Sequence, residues 1–182
     1  MATRAFDDPE REEHRLAALA QIRQFGDPSL RTPASPVTEF DATLGEEVQR
    51  MLSIMTAARG VGLAAPQLGA LRRLIVASPD EEGAEPRAFV NPVVAWRAEE
   101  EELGEEGCLS LGEIVVDVPR AVAVRVEARD PAGAGFELEV EGLFARVLLH
   151  EIDHLDGVLI LDRTTAEQRR EALRELRATA VA

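Results

Sequence analysis

One short segment near the C-terminal end of the chain has the residue types and the spacing of a metal site. It reads His150-Glu151-Ile152-Asp153-His154 and lies in a run, residues 143–156, that we predict to be a helix. Residues four apart lie on one helix face, so His150 and His154 can bind one metal ion together. Glu151 is close enough to that face to act as a general base on a ligand of the metal.

The residues around this segment favour a metal site over a solvated helix with two surface histidines. Val147, Leu148, Ile152 and Leu155 make the helix largely apolar, which predicts that it is buried. A buried pair of histidines with a carboxylate between them needs partners, and a metal ion supplies them. The same H-E-x-x-H pattern also serves in metallopeptidases that cleave internal peptide bonds.

Two histidines leave a metal ion short of protein ligands, because catalytic zinc-type sites usually have three and keep one position for water. The candidates for the third ligand are Cys108, the only cysteine, and many carboxylates. A soft thiolate suits zinc or ferrous iron. Without context Cys108 would be interpreted as a small buried hydrophobic residue. The presence of H-E-x-x-H makes the metal-ligand interpretation the better one.

Composition limits the class of protein. A chain of 182 residues predicts a single domain, 1–182, and its 46% hydrophobic content is enough for a mostly aliphatic core. A formal net charge of −14 argues against a DNA-binding protein, since affinity for phosphate backbones comes largely from Lys and Arg. No run approaches 18 apolar residues, so we expect no membrane span. An acidic N-terminus unlike a secretory signal and a single cysteine favour a cytoplasmic location.

Hydrophobic periodicity predicts an α+β fold, with antiparallel or mixed sheets packed around the central H-E-x-x-H helix and a C-terminal helix at 164–180. Residues 1–20 form an N-terminal extension, of which 1–8 are expected to be frayed. Other helices are expected at 9–24 and 41–59, and the last one starts from a Thr165–Gln168 capping box. Strands are expected at 74–77, 88–94, 114–118, 121–128, 136–140 and 158–161. The acidic run at 80–85 is expected to be a loop, and the one at 99–102 a solvated face or a turn.

Three segments together resemble the peptide deformylase family. They are Gly60-Val61-Gly62-Leu63-Ala64-Ala65-Pro66-Gln67, Glu106-Gly107-Cys108-Leu109-Ser110 and His150-Glu151-Ile152-Asp153-His154-Leu155-Asp156-Gly157. These are similar to the family motifs G-x-G-L-A-A-x-Q, E-G-C-L-S and H-E-x-D-H-L. The resemblance covers residues 22–163, and finding all three motifs in this order makes it very specific.

The resemblance implies that Cys108, His150 and His154 bind one divalent metal ion. That ion would be Fe²⁺ in the cell, with Zn²⁺, Ni²⁺ or Co²⁺ possible in purified protein. A water molecule on the metal would be the nucleophile, and Glu151 would take its proton and deliver one to the leaving amine. The reaction would remove the formyl group from the N-terminal formylmethionine of new proteins and release formate.

The resemblance also implies the groups that hold the substrate. The side-chain amide of Gln67 and the backbone N–H of Leu109 would donate hydrogen bonds to the oxyanion. Substrate backbone contacts and a methionine pocket are expected at Val61, Gly62, Glu106, Gly107, Leu143 and Val147, with Glu106 alternatively structural.

Departures from the family pattern leave peptide preference beyond methionine open. Leu111-Gly112 replaces an aliphatic residue and proline, and Val115 replaces an arginine that some members carry. In the C-terminal helix, five arginines and three glutamates follow from residue 163. This composition is typical of a surface helix, while the resemblance implies docking to the ribosome near the exit tunnel as the alternative.

Two other hypotheses remain for the function of the whole chain. One is a metallopeptidase, and the other is a degenerate relative that binds formylated chains or metal without turnover.

Overall fold

The computed structural model describes residues 9–79 and 85–179. The predicted frayed terminus and nearly all of the acidic loop at 80–85 lie outside these residues. The helices are α1 (Pro9–Leu19), α2 (Ala42–Ala57), α3 (Gly142–Leu155) and α4 (Ala166–Thr179), with 3₁₀ turns at Pro28–Arg31, Ala65–Leu68, Leu109–Leu111 and Ile160–Asp162. The strands are β1 (Gly62–Ala64), β2 (Leu74–Ala77), β3 (Arg87–Arg97), β4 (Glu101–Gly107), β5 (Val115–Ala121), β6 (Ala123–Arg129) and β7 (Gly135–Glu141). This confirms the α+β class.

The strands form two antiparallel sheets. Five strands pair in the order β1-β2-β3-β6-β7, and β4 pairs separately with β5 over its full length. Strand β6 shows the alternation expected of a half-buried strand, because Val124, Val126 and Ala128 are buried while Arg125 and Glu127 are not. A β-turn with Gly133 at φ 88° connects β6 to β7, as the sequence predicted.

Strand β2 is buried on both faces and separates two parts of the core. Ile75 and Ala77 pack in the cluster that contains α3, whereas Leu74 and Val76 pack in the cluster that contains α2. This explains the unbroken apolar run of β2, since a strand covered on both faces needs no polar side. The short edge strand β1 thereby lies close to both helices, and it begins at Gly62 beside the H-E-x-x-H helix.

Helix α3 agrees with its prediction. It begins at Gly142 instead of residue 143, ends at Leu155, and buries the apolar residues Leu148, Ile152 and Leu155 against the five-stranded sheet. Gly157 follows with φ 73°, as expected for the residue after a helix end. A side chain there would clash, because a Cβ atom would lie 2.7 Å from the Arg31 carbonyl oxygen.

A third apolar cluster joins the β4–β5 hairpin to the C-terminal helix. It contains Cys108, Ile114, Val116, Ile160 and Ala172 among others. The Thr165 hydroxyl accepts a hydrogen bond from the Gln168 N–H at 3.3 Å, which is half of the predicted capping box. The Gln168 side chain bonds instead to Asp117 in β5, at 2.8 Å to its N–H and 2.7 Å to its carboxylate.

One predicted strand and one predicted helix end were wrong. Residues 158–161 are not a strand, because the Asp162 side chain accepts from the Leu159 N–H at 2.9 Å and starts a 3₁₀ turn. The first helix ends at Leu19 rather than at residue 24. The acidic run at 99–102 was predicted to be a solvated face or a turn, and the solvated face is confirmed, because Glu101 and Glu102 open strand β4 with exposed side chains. No helix in the described part of the chain has the length and apolar character of a membrane span.

Candidate metal centre and substrate cleft

The three predicted metal ligands meet at one point. Ligand atoms of Cys108, His150 and His154 lie within 4.8 Å of one another. The Cys108 Sγ and the His154 Nε2 are 3.3 Å apart, and the two imidazole rings face each other edge to face at 5.0 Å between centroids. Helix α3 supplies the histidines from one face, while Cys108 follows the end of β4, so the site depends on how the hairpin packs against the helix.

Glu106 fixes the orientation of the first histidine. Its Oε2 lies 3.0 Å from the His150 Nδ1, which leaves the Nε2 of that ring for a metal. Burial raises the pKa of Glu106, but hydrogen bonds from His150 and Arg120 and the charge of Arg120 outweigh this and lower it to about 2. Glu106 is therefore an anion, and both of its oxygens are used by protein groups, which favours the structural role among the two considered for it.

The electrostatics favour Cys108 as a thiolate, which is the form that binds metals. Burial raises the pKa of this thiol, but the adjacent imidazoles of His154 and His150 lower it well below its ordinary value. The Gln67 side-chain amide points at the same sulfur, with its Nε2 3.7 Å from Sγ and 3.2 Å from the Ser110 hydroxyl. Its Oε1 accepts from the Ala64 N–H at 2.8 Å, so the amide nitrogen must face the centre.

The general base predicted at Glu151 lies beside the ligands in the wall of the cleft. It is 4% exposed, and its Oε2 is one of two buried side-chain atoms in the described residues without a hydrogen-bond partner. The other is the Nδ1 of His154. Burial raises the pKa of Glu151 against the opposing effect of the two histidines. A buried carboxylate with a free oxygen and a raised pKa is suited to exchange protons.

A cavity of about 360 Å³ opens in front of these groups. All predicted site residues except His154 line it, and His154 lies behind the wall with 1% exposure. The predicted pocket residues differ in burial: Val147 is 7% exposed, whereas Val61 and Leu143 are 55% and 49% exposed at the rim. Strand β1 borders the cavity through Gly62, and β4 borders it through Gly107.

The sequence did not predict the ionic network behind the ligands. Arg120 donates to both oxygens of Glu106, at 2.9 and 3.0 Å, and to Asp153 at 2.5 Å. Arg146 donates to Glu106 at 2.9 Å, and Arg163 pairs with Asp153 at 2.7 Å. The sequence did contain a signal for this network. Asp153 lies in an apolar stretch of α3 and Arg120 lies in the mostly apolar strand β5, and buried charges require partners.

The comparisons with known proteins agree with this arrangement. The profile of the family described as polypeptide deformylase matches residues 19–170. A peptide deformylase of Thermotoga maritima is 44% identical over 151 residues, which is 83% of this chain and 90% of the relative.

Solved structures of the same enzyme share the fold. The crystal structure of a peptide deformylase from Legionella pneumophila matches with a TM-score of 0.82 and 40% identity, over 87% of this chain and 94% of that one. A peptide deformylase from Synechococcus elongatus, solved in complex with actinonin, matches with a TM-score of 0.81 and 39% identity, over 85% of each chain. The chain therefore belongs to the polypeptide deformylase family, which confirms the enzyme class expected from the three motifs.

Proposed function

We propose that the protein removes the formyl group from the N-terminal formylmethionine of newly made polypeptides and releases formate. The observation that carries this proposal is the convergence of Cys108, His150 and His154 with the carboxylate of Glu151 at one cavity. Membership of the deformylase family supports the reaction class. The geometry supports the assignment of each residue to a role.

The residues present fit one divalent metal ion. Cys108, His150 and His154 would hold it, because their three donor atoms are close together and mostly buried, and the adjacent imidazoles lower the pKa of the Cys108 thiol well below its ordinary value. When bound, such an ion supplies a Lewis acid that lowers the pKa of a water molecule and polarises a carbonyl group. One thiolate and two imidazoles suit both ferrous iron and zinc. We propose Fe²⁺ as the ion used in the cell.

Glu151 would move the protons of the reaction. Its Oε2 is buried without a hydrogen-bond partner, and burial raises the pKa of this carboxyl group, which favours proton transfer to and from it. We assign it the role of accepting a proton from water and passing one to the leaving amine. The packing of Oε1 against Gly62 holds the carboxylate in place.

Two donors would stabilise the negative charge that develops on the formyl oxygen. The Gln67 amide nitrogen is held toward Cys108 by the bond of its Oε1 to Ala64. Leu109 opens the 3₁₀ turn that follows Cys108, and the first N–H groups of a helical turn have no partner within it. Each such donor contributes about 10²–10³-fold to the rate in comparable sites.

The cleft fits an extended peptide that begins with an apolar side chain. Its rim residues Val61 and Leu143, with Val147 deeper, form an apolar surface for the methionine side chain. Gly107 at the end of β4 is exposed, and Gly62 on the edge strand β1 is buried but lines the cavity. Edge strands bind extended peptides through main-chain hydrogen bonds, which would align the substrate along the cleft.

The direct test is release of formate from formyl-Met-Ala, measured together with cleavage of casein. Formate release without casein cleavage supports a deformylase. Casein cleavage without formate release would instead favour the metallopeptidase that H-E-x-x-H alone allows. The protein should be purified without oxygen and its metal content measured, because thiolate-bound ferrous iron is sensitive to oxidation.

Helix α4 could bring the enzyme to its substrate. Arg170, Arg174 and Arg177 lie on its exposed surface, and we propose that they contact the negatively charged ribosome near the exit of nascent chains. The triple change of these residues to glutamate should abolish co-sedimentation with ribosomes and leave formate release unchanged. Equal co-sedimentation would contradict docking. A substrate emerging from ribosomes and a site that needs a reduced thiol both favour the cytoplasm.

A further inference from the structure

We infer that Arg163 is a positioning residue of the metal centre, which couples the start of the C-terminal helical segment to the ligand His150. This inference rests on the proposed metal site, and it concerns a residue that lies outside the cavity. Arg163 reaches the centre through a continuous series of charged contacts, from Arg163 to Asp153, then to Arg120, to Glu106 and to His150.

The first contact is a two-pronged ion pair. The Nη2 of Arg163 lies 2.7 Å from the Oδ1 of Asp153, and its Nε lies 3.1 Å from the Oδ2. Asp153 belongs to α3, immediately before the ligand His154, and is only 8% exposed. Arg163 is the residue that ends the 3₁₀ turn before α4. The ion pair therefore joins the chain after the ligand helix back onto that helix.

Asp153 shares its second partner with the group that orients His150. Arg120 is 5% exposed and bonds at the same time to Asp153 at 2.5 Å and to both oxygens of Glu106. Glu106 in turn bonds the Nδ1 of His150 at 3.0 Å. A guanidinium group is rigid and planar, so its position relative to Glu106 is set partly by what it binds at the other edge.

Loss of Arg163 would leave the Oδ1 of Asp153 without the one hydrogen-bond donor that it has among residues 9–79 and 85–179. A buried carboxylate that loses a charged partner pulls more strongly on the partner that remains, here Arg120, or admits water. The first response shifts Arg120 relative to Glu106, and the second makes Asp153 a less firmly held partner for Arg120. The side chain of Arg163 is itself 45% exposed, so its replacement removes the ion pair without opening a cavity in the core.

The contacts of a ligating histidine on its far side set its tautomer and ring orientation, and changes there usually weaken metal binding or activity by about 10–100-fold. Arg163 is three contacts further from the histidine than Glu106 is, through Asp153 and Arg120. We therefore expect Arg163→Gln to release metal about tenfold faster, at the lower end of that range. Arg163→Lys, which keeps the charge and loses the two-pronged geometry, should lie between this variant and the unchanged protein.

The experiment loads the full-length protein with Zn²⁺ and measures the rate of zinc transfer to a chromogenic chelator. Arg169→Gln is the matched control, since Arg169 lies in α4, the helix that follows Arg163, and pairs with Asp162 at 3.4 Å instead of with Asp153. Faster release from Arg163→Gln than from Arg169→Gln supports the inference. Equal release rates overturn it, even where thermal unfolding shows that Arg163→Gln is less stable, because a merely structural residue would change stability alone.

Two further measurements keep the outcome decisive. In the Co²⁺-loaded protein, the thiolate and imidazole ligand environment gives an absorption spectrum, which should shift in Arg163→Gln and stay unchanged in Arg169→Gln. Should Arg163→Gln fail to fold, Arg163→Lys gives the same comparison, and release at the control rate overturns the inference. If the unchanged protein binds zinc but releases no formate, the proposed function fails while the zinc-transfer comparison still decides the role of Arg163.

Discussion

The carboxylate of Glu151 packs directly against the backbone of Gly62, so closely that a Cβ atom at position 62 would come within 2.3 Å of the Oε1. Gly62 opens the edge strand β1, and Glu151 follows the first metal ligand on α3. The contact joins the first and third sequence motifs, because Gly62 belongs to one and Glu151 to the other, 89 positions later in the chain. A residue without a side chain is therefore needed at position 62, because any Cβ atom there would clash with the carboxylate of Glu151, the proposed general base.

We expect Gly62→Ala to displace Glu151 and lower kcat by about 10²-fold, within the range that general acid–base catalysis contributes. Metal content should stay the same, because neither Gly62 nor Glu151 is one of the three clustered ligands. Formate release from formyl-Met-Ala measures the effect. Unchanged kcat with full metal content would show that the carboxylate can move without cost.

Gly45→Ala is the control for this substitution. Gly45 lies inside α2 and a Cβ atom there would meet nothing within 4 Å. Alanine is the better helix former by about 0.5–1 kcal/mol, so the free energy of unfolding should rise by this amount. Activity should be unchanged. Urea unfolding and the formate assay on the same preparation check both expectations.

Glu151→Gln separates chemistry from metal binding. Glutamine has nearly the same shape but cannot accept and return a proton, so turnover should fall by about 10²–10⁴-fold. The fold and the metal content should be retained, because Glu151 is not one of the clustered ligands. Retained activity would remove Glu151 from its assigned role.

Gln67→Leu removes one of the two proposed oxyanion donors while keeping a side chain of similar size. We expect kcat to fall by about 10²–10³-fold with little change in KM, since the donor acts on charge that develops in the transition state. Ser110→Ala is the companion variant. It takes away the hydroxyl that lies 3.2 Å from the Gln67 amide, so it should lower kcat less. A larger loss from Ser110→Ala would contradict this order.

The sequence predicted correctly that His150 and His154 lie on one face of a helix, because the local sequence of α3 is sufficient to identify that helix. Its apolar positions recur at helical spacing, its end is marked by Gly157, and its two histidines share a face by geometry alone. These signals are local, so they predict the helix whatever the rest of the fold is. The position of Cys108 relative to α3 is different, because it depends on the β4–β5 hairpin.

That hairpin could not be read from local sequence. Strand β4 is EELGEEG, four glutamates in seven residues, and only Glu106 is buried in it. Glutamate and glycine are poor strand formers, so β4 exists because it pairs with β5 and because Glu106 finds Arg120 and Arg146. Charge networks of this kind depend on tertiary positions. The same holds for the partnership of Arg163 with Asp153.

The rim of the cleft carries a charge that should affect peptide preference beyond methionine. Arg59 lines the cavity with φ 59°, and its side chain is 53% exposed and 3.9 Å from the similarly exposed Glu12. Arg59→Glu should lower kcat/KM for formyl-Met-Ala-Asp and raise it for formyl-Met-Ala-Lys. Exposed charge pairs contribute about 0.2–1 kcal/mol, which is a change of up to roughly fivefold.

Arg50→Glu is the control for this charge reversal. Arg50 lies on α2, is exposed, and bonds Gln21 outside the cavity. It changes the net charge by the same amount, so any general effect of charge on substrate binding should appear in both variants. Equal preference changes in the two variants would show that Arg59 does not act locally.

Protonation of Asp162 should lower the free energy of unfolding in acid. Burial raises its pKa, but hydrogen bonds from Arg31 and from the Leu159 N–H, with the charges of Arg31 and Arg169, lower it below its ordinary value of 3.8. Because the folded state holds the lower pKa, the stabilisation is fully present above the unfolded pKa. It is lost as pH falls from about 4 through the folded pKa.

Asp162→Asn should therefore lower the free energy of unfolding at pH 7, and the difference from the unchanged protein should shrink at pH 3. Urea unfolding at pH 7, 5 and 3, with both proteins stripped of metal by a chelator, measures it. Glu113→Gln makes the same charge change at an exposed position and controls for net charge. A difference that stays constant between pH 7 and pH 3 would mean that the carboxylate of Asp162 stabilises the fold by its shape and hydrogen bonds, independently of its charge.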